Sequence, residues 1–103
     1  MELINRGFIA VNPKREFMQK INDLLELDIP TPAKPESSIY LIEEDFINDQ
    51  TTLNKHIKEI IESELQQLDP ENKSEKPEIN SSNFREYFEV SMGSFVYDLH
   101  HQT

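Results

Sequence analysis

Three histidines, one run of carboxylates and one small group of bases are the side chains here whose types and spacing could do chemistry. His56 has Glu59 three residues on, a helical spacing at which an imidazole and a carboxylate can share a metal ion. Two ligands make a poor site. His100 and His101 stand beside Asp98 at what reads as a frayed end, residues 100–103. No resident metal is expected. Glu43, Glu44 and Asp45, with Asp49 nearby, offer oxygens to magnesium or calcium but lack the glycine and the spacing of a calcium loop. They read instead as a solvated acidic turn that ends a strand, and as the place where a protein partner docks.

Arg6, Lys14 and Arg15 are the one concentration of bases. Lys14 and Arg15 fall where a helix is expected to begin, and free N–H groups at a helix start favour an anion. A pocket where the strands meet this helix would take Arg6, Lys14 and Tyr40 as its polar lining. Serines occur without a Gly-x-Ser-x-Gly elbow. Two glycines in all cannot build a phosphate-cradling loop. No catalytic set and no cofactor motif results.

The elements that must position these groups follow from periodicity. Phe8-Ile9-Ala10-Val11 reads as a buried strand. Asn12-Pro13 then suits a helix start, since Asn caps well and Pro is favoured at the first helical position. Phe17, Ile21, Leu24 and Leu25 recur on one helical face. Pro30, Pro32 and Pro35 mark an extended connection. Ser38-Ile39-Tyr40-Leu41-Ile42 reads as a second strand, its continuous apolarity suggesting cover on both faces, with an edge position as the alternative. Thr51 or Thr52 should cap a longer helix with Leu53, Ile57, Ile60, Ile61, Leu65 and Leu68 as its stripe. Residues 69–83 hold almost no large apolar side chain and read as a mobile loop. Ser81 or Ser82 should cap a short turn over Phe84-Arg85-Glu86-Tyr87. Phe88 to Leu99 reads as a final strand, bulged or turned at Gly93, with Tyr87, Phe88, Phe95 and Tyr97 in the core. The order is β-α-β-α-(short α)-β: a small two-layer α+β domain with about three strands and two main helices. The strand-helix-strand unit implies a right-handed crossover.

At 103 residues the chain is long enough for one modest core, so residues 1–103 are expected to form a single domain. Its apolar runs are only a few residues long, whereas spanning a membrane takes ~20. The first residues lack a basic stretch followed by an apolar one, so no secretory leader is expected. With no cysteine, disulfides and thiolate chemistry are excluded and a cytoplasmic setting is expected. Twenty acidic against ten basic residues give a net charge of -10, which repels nucleic acid and anionic lipid.

Two segments together resemble a family of short acidic bacterial proteins. Arg6-Gly7-Phe8-Ile9-Ala10-Val11-Asn12-Pro13-Lys14 with Phe17 resembles the family's Arg-Gly, strand and Pro-Lys opening. Tyr87-Phe88-Glu89-Val90 and Ser94-Phe95-Val96-Tyr97-Asp98-Leu99 resemble its closing motif, and Ile39-Tyr40-Leu41-Ile42 is similar to its middle strand. Glu16, Lys20, Tyr87 and Gly93 stand where the pattern has proline, tryptophan, tryptophan and histidine. The missing histidine removes the one matched position able to carry chemistry. The resemblance implies the order of elements and a bacterial cytosolic origin. It assigns no activity.

The leading reading is therefore a non-enzymatic protein–protein interaction or regulatory module, with Glu43, Glu44 and Asp45 as its contact and no cofactor. The alternative is a small-ligand or anion-binding protein or enzyme, with its pocket near the first helix start. A third is a nucleic-acid mimic, which would array its carboxylates along one face.

Overall fold

The computed structural model describes residues 1–25, 36–44, 48–68 and 78–100, without the side chains of Leu24, Leu25 and Leu68. The fold is mixed α+β, and its elements are β1 (Glu2–Ile4), β2 (Gly7–Pro13), α1 (Arg15–Leu25), β3 (Ser38–Ile42), α2 (Asp49–Leu68), α3 (Phe84–Tyr87), β4 (Phe88–Gly93) and β5 (Val96–Asp98). Where the sequence suggests about three strands, five occur. They form a three-stranded sheet ordered β3-β2-β4 and a two-stranded ribbon of β1 and β5. Every pairing is antiparallel. This replaces the expected right-handed crossover, because β3 returns beside β2 in the opposite direction, with Val11 opposite Ser38.

Alternation along β2 places Ile9 and Val11 fully inside, against α1 and α2. Helix α1 contributes Phe17, Met18 and Ile21, and α2 contributes Leu53, Ile57, Ile60, Ile61 and Leu65, the stripe expected from its period. Phe84 and Phe88 close the core. The Phe17 and Phe88 rings lie 4.5 Å apart and tilted, and Phe84 and Phe88 stack at 4.8 Å. Such pairs add about 0.5–1.5 kcal/mol each beyond the area they bury.

Local details differ from the sequence reading for identifiable reasons. Asn12 and Pro13 belong to β2, and α1 starts two residues later. Proline is tolerated there because it closes the strand. The Lys14 carbonyl instead takes the N–H groups of Phe17 and Met18. Asn48 caps α2 in place of Thr51 or Thr52: its Oδ1 accepts the Thr51 N–H at 2.9 Å, while Thr52 is buried. Asn83, rather than a serine, occupies the cap of α3. Of the expected loop, residues 69–77 lie outside the described residues; Ile79 packs on the core. Residues 101–103 of the expected frayed end also lie outside them, and the His100 N–H donates to Asp98 Oδ1.

The last strand is two strands in two sheets. Between the pairs Ile4–Val96 and Phe8–Gly93, the first arm holds Asn5, Arg6 and Gly7 but the second only Ser94 and Phe95. The extra residue is a bulge-like offset between the two sheets, and it shifts one ladder by a residue against the other. Phe88 is buried and Tyr87 packs against the core, but Phe95 and Tyr97, expected inside, are exposed.

A Cβ at Gly93 would stand only 2.6 Å from Cε1 of the Phe8 ring. Gly93→Ala should lower stability by about 1–3 kcal/mol through overpacking, measured by urea unfolding. Phe8→Leu in the same chain should recover much of that loss. Purely additive losses would show that the ring is not the obstacle.

Candidate functional site

Strand β3 presents Ser38, Tyr40 and Ile42 inward and Ile39 and Leu41 outward. A purely hydrophobic pattern would favour the opposite choice, since a one-residue slip buries Ile39 and Leu41. The reason lies on α2. Glu64 is only 3% exposed, and a buried carboxylate needs donors. Ser38 Oγ, the Tyr40 hydroxyl and Gln67 Nε2 all donate to its Oε2, each at 2.9 Å. The single phenolic proton of Tyr40 is thereby committed, so Ser63 Oγ, 3.1 Å away, is the donor in its contact with Tyr40. Burial pushes the Tyr40 phenol above its ordinary value; the Ser63 bond opposes this and Glu64 reinforces it.

The outward face is correspondingly apolar. Ile39 is 60% and Leu41 45% exposed, beside Ala10 and Phe8 of β2. Among the described residues no helix contributes to this side: the core cluster draws on the other face of the sheet. On the ribbon Leu3 stands opposite Tyr97, and both are exposed. Among the described residues the exposed large apolar side chains are Met1, Leu3, Ile39, Leu41, Phe95, Tyr97 and Leu99, two on the outward face of β3 and five in or beside the ribbon. Cover on both faces of β3, expected from its composition, is not found. It is an edge strand paired with β2 alone.

The acidic group expected to meet a partner is divided. Glu43 Oε2 lies 3.0 Å from His56 Nε2, and its Oε1 lies 3.6 Å from Lys55 Nζ. A backbone hydrogen bond, then His56, then the Lys55 charge hold its carboxyl below the ordinary value. Glu43 thus ties β3 to α2. Glu44 is exposed and unconstrained by such a pair, and Asp45 lies outside the described residues. His56 meets Glu43 here, and no group of three or more histidines, cysteines or acids able to hold a metal occurs among the described residues.

The bases are divided too. Arg6, at the bulge, donates from Nε to the Ile42 carbonyl at 2.8 Å and from Nη2 to the Leu41 carbonyl at 3.2 Å. Lys14 sits beyond the opposite end of β2, roughly 25 Å away at the rise of a strand. Arg15 is exposed beside it. Tyr40 turns to α2, so Arg6, Lys14 and Tyr40 do not line one pocket. Lys14 instead joins Arg85, which the sequence reading passed over, in an open cleft with Asn12, Phe88, Glu89, Val90 and Ser91. No local signal links two bases so far apart in sequence; only the β2–β4 register does.

Comparison with protein-family models, with curated proteins and with solved structures finds no match to this chain. No helix among the described residues is long and apolar enough to cross a membrane.

Two outcomes follow from the charges. Glu64→Ala leaves Ser38 and Tyr40 facing inward without their acceptor and should cost about 1–3 kcal/mol in urea unfolding. For Glu43, a lowered folded pKa means stability present above the ordinary value of 4.5 and lost as pH falls through the folded value. Thermal melting from neutral to acid pH should show this acid limb shallower in Glu43→Gln. An unchanged limb would place the acid sensitivity elsewhere.

Proposed function

We propose that this protein acts by contacting another protein through its open sheet face, as a non-enzymatic interaction or regulatory module of the cytoplasm. The observation that carries the reading is the outward, exposed pair Ile39 and Leu41 on an edge strand, with the exposed Leu3–Tyr97 pair on the ribbon. Scattered surface leucines and isoleucines need no explanation, but apolar residues side by side on one strand face, beside Phe8 and Ala10 of β2, support a contact. β3 reaches this state against the hydrophobic preference of its own residues. The zero cysteine count supports the cytoplasmic setting.

The chemistry of the partner follows from the border of the face. Glu36 and Glu44 flank β3 and Glu89 lies on the face itself, all three exposed, on a chain of net charge -10. An apolar centre ringed by lysine or arginine complements that border, and opposite charge speeds and orients the encounter. Burial of the apolar part contributes about 25 cal/mol per Å² removed from water. A nucleic-acid mimic would need carboxylates where these apolar side chains stand.

The test is cross-linking capture from bacterial lysate at low and at moderate salt. A partner held at moderate salt by the parent should be lost with Ile39→Ser plus Leu41→Ser, and with Tyr97→Ser. It should be retained with Lys58→Ser on the exposed side of α2. Glu44→Lys should weaken capture chiefly at low salt, where surface charge is least screened. Equal capture by all the variants would refute a contact on this face.

A further inference from the structure

The cleft beside β4 rests on an observation separate from the apolar side. Its volume is about 500 Å³, within the roughly 300–1,000 Å³ of small-ligand pockets. Lys14 comes from the junction of β2 and α1, and Arg85 from α3. The Lys14 ammonium donates to the Arg85 carbonyl at 2.7 Å, and Arg85 Nη2 donates to Gln50 Oε1 at 3.3 Å. Both cations are therefore held in place by neutral acceptors.

That is unexpected on this chain. Acids outnumber bases two to one, so neighbouring cations should readily collect carboxylates. Yet among the described residues the ion pairs are those of Glu43 with Lys55 and His56, and neither Lys14 nor Arg85 meets a carboxylate. Two basic residues lining one concavity, with N–H donors to spare on each, form a receptor for negative charge. Asn12, whose Oδ1 accepts from Ser37, leaves its amide NH₂ as a further donor, and the Ser91 hydroxyl is another. Glu89 in the same lining opposes a bound anion and limits its charge.

We propose that this cleft binds an oxyanion, the phosphate or carboxylate group of a ligand, between Lys14 and Arg85. Arg85 offers the planar fork that matches two oxygens, and Lys14 supplies a point charge. The strand backbone from Phe88 to Ser91 forms the floor against which the rest of the ligand lies. Neither Arg6 nor Arg15 belongs to the lining.

The test is an NMR titration of the ¹⁵N-labelled protein with sodium phosphate and, separately, with sodium succinate. Chloride keeps ionic strength constant, so general screening cannot masquerade as binding. Saturable shifts at Lys14, Arg85 and Ser91 are expected with at least one of the two anions. Saturation by phosphate alone identifies a phosphoryl ligand, and by succinate alone a carboxylate. Arg85→Gln should weaken binding by about tenfold or more, the loss of a charge-assisted contact. Glu89→Gln should tighten it, an effect that damage to the fold cannot imitate. Shifts that never saturate, or that persist equally in Arg85→Gln, would overturn the site.

Discussion

A carboxylate taken out of water must be met by donors, and the way Glu64 is met sets the side on which this protein faces the world. Its partners Ser38 and Tyr40 lie two residues apart on β3, so both must turn inward together. The period of a strand then sends Ile39 and Leu41 outward. Nothing in the preferences of those two residues asks for this. The buried charge outweighs them because removing its donors strands a carboxylate in the interior, whereas exposing two aliphatic side chains forfeits only their transfer energy. β3 is fixed in register by polarity rather than by greasiness.

The ribbon is offset by one residue from the main sheet, because the first arm is one residue longer between the two ladders. Leu3 therefore stands opposite Tyr97, and both are exposed. Arg6, in the longer arm, uses its guanidinium on the carbonyls at the end of β3 and so fastens the edge strand. At the other end of β2, where it gives way to α1, the surface carries Lys14 and Arg85.

Much of this was legible in the sequence, and the failures have a common cause. The limits of β3 are written in the prolines before it and the acids after it, and the stripe of α2 is plain from its period. Three-residue β1 gives no alternation to read. The division between β4 and β5 was foreshadowed by Gly93, beside the bend at Ser94, but that the two halves join different sheets was not. The inward choice of Ser38 and Tyr40 depends on a glutamate 26 residues away. Lys14 was visible as a base near a helix start; Arg85, 71 residues on, became its neighbour only through the fold. What depends on distant pairing was hidden, and the outward placement of Ile39 and Leu41 depends on it.

β2 bears both ladders of the main sheet, yet one of its partners, β4, lies most of the chain beyond it. During synthesis its two edges and the apolar Ile9 and Val11 are made early and wait for strands still unmade. Closing so distant a pairing is slow. An unpaired strand with two open edges is also a template for the wrong neighbour. The nascent chain thus has both edges of β2 open until β3 emerges, and one edge open until β4 does. Until then α1, β3 and α2 are the elements that can shelter the strand around which the sheet is assembled.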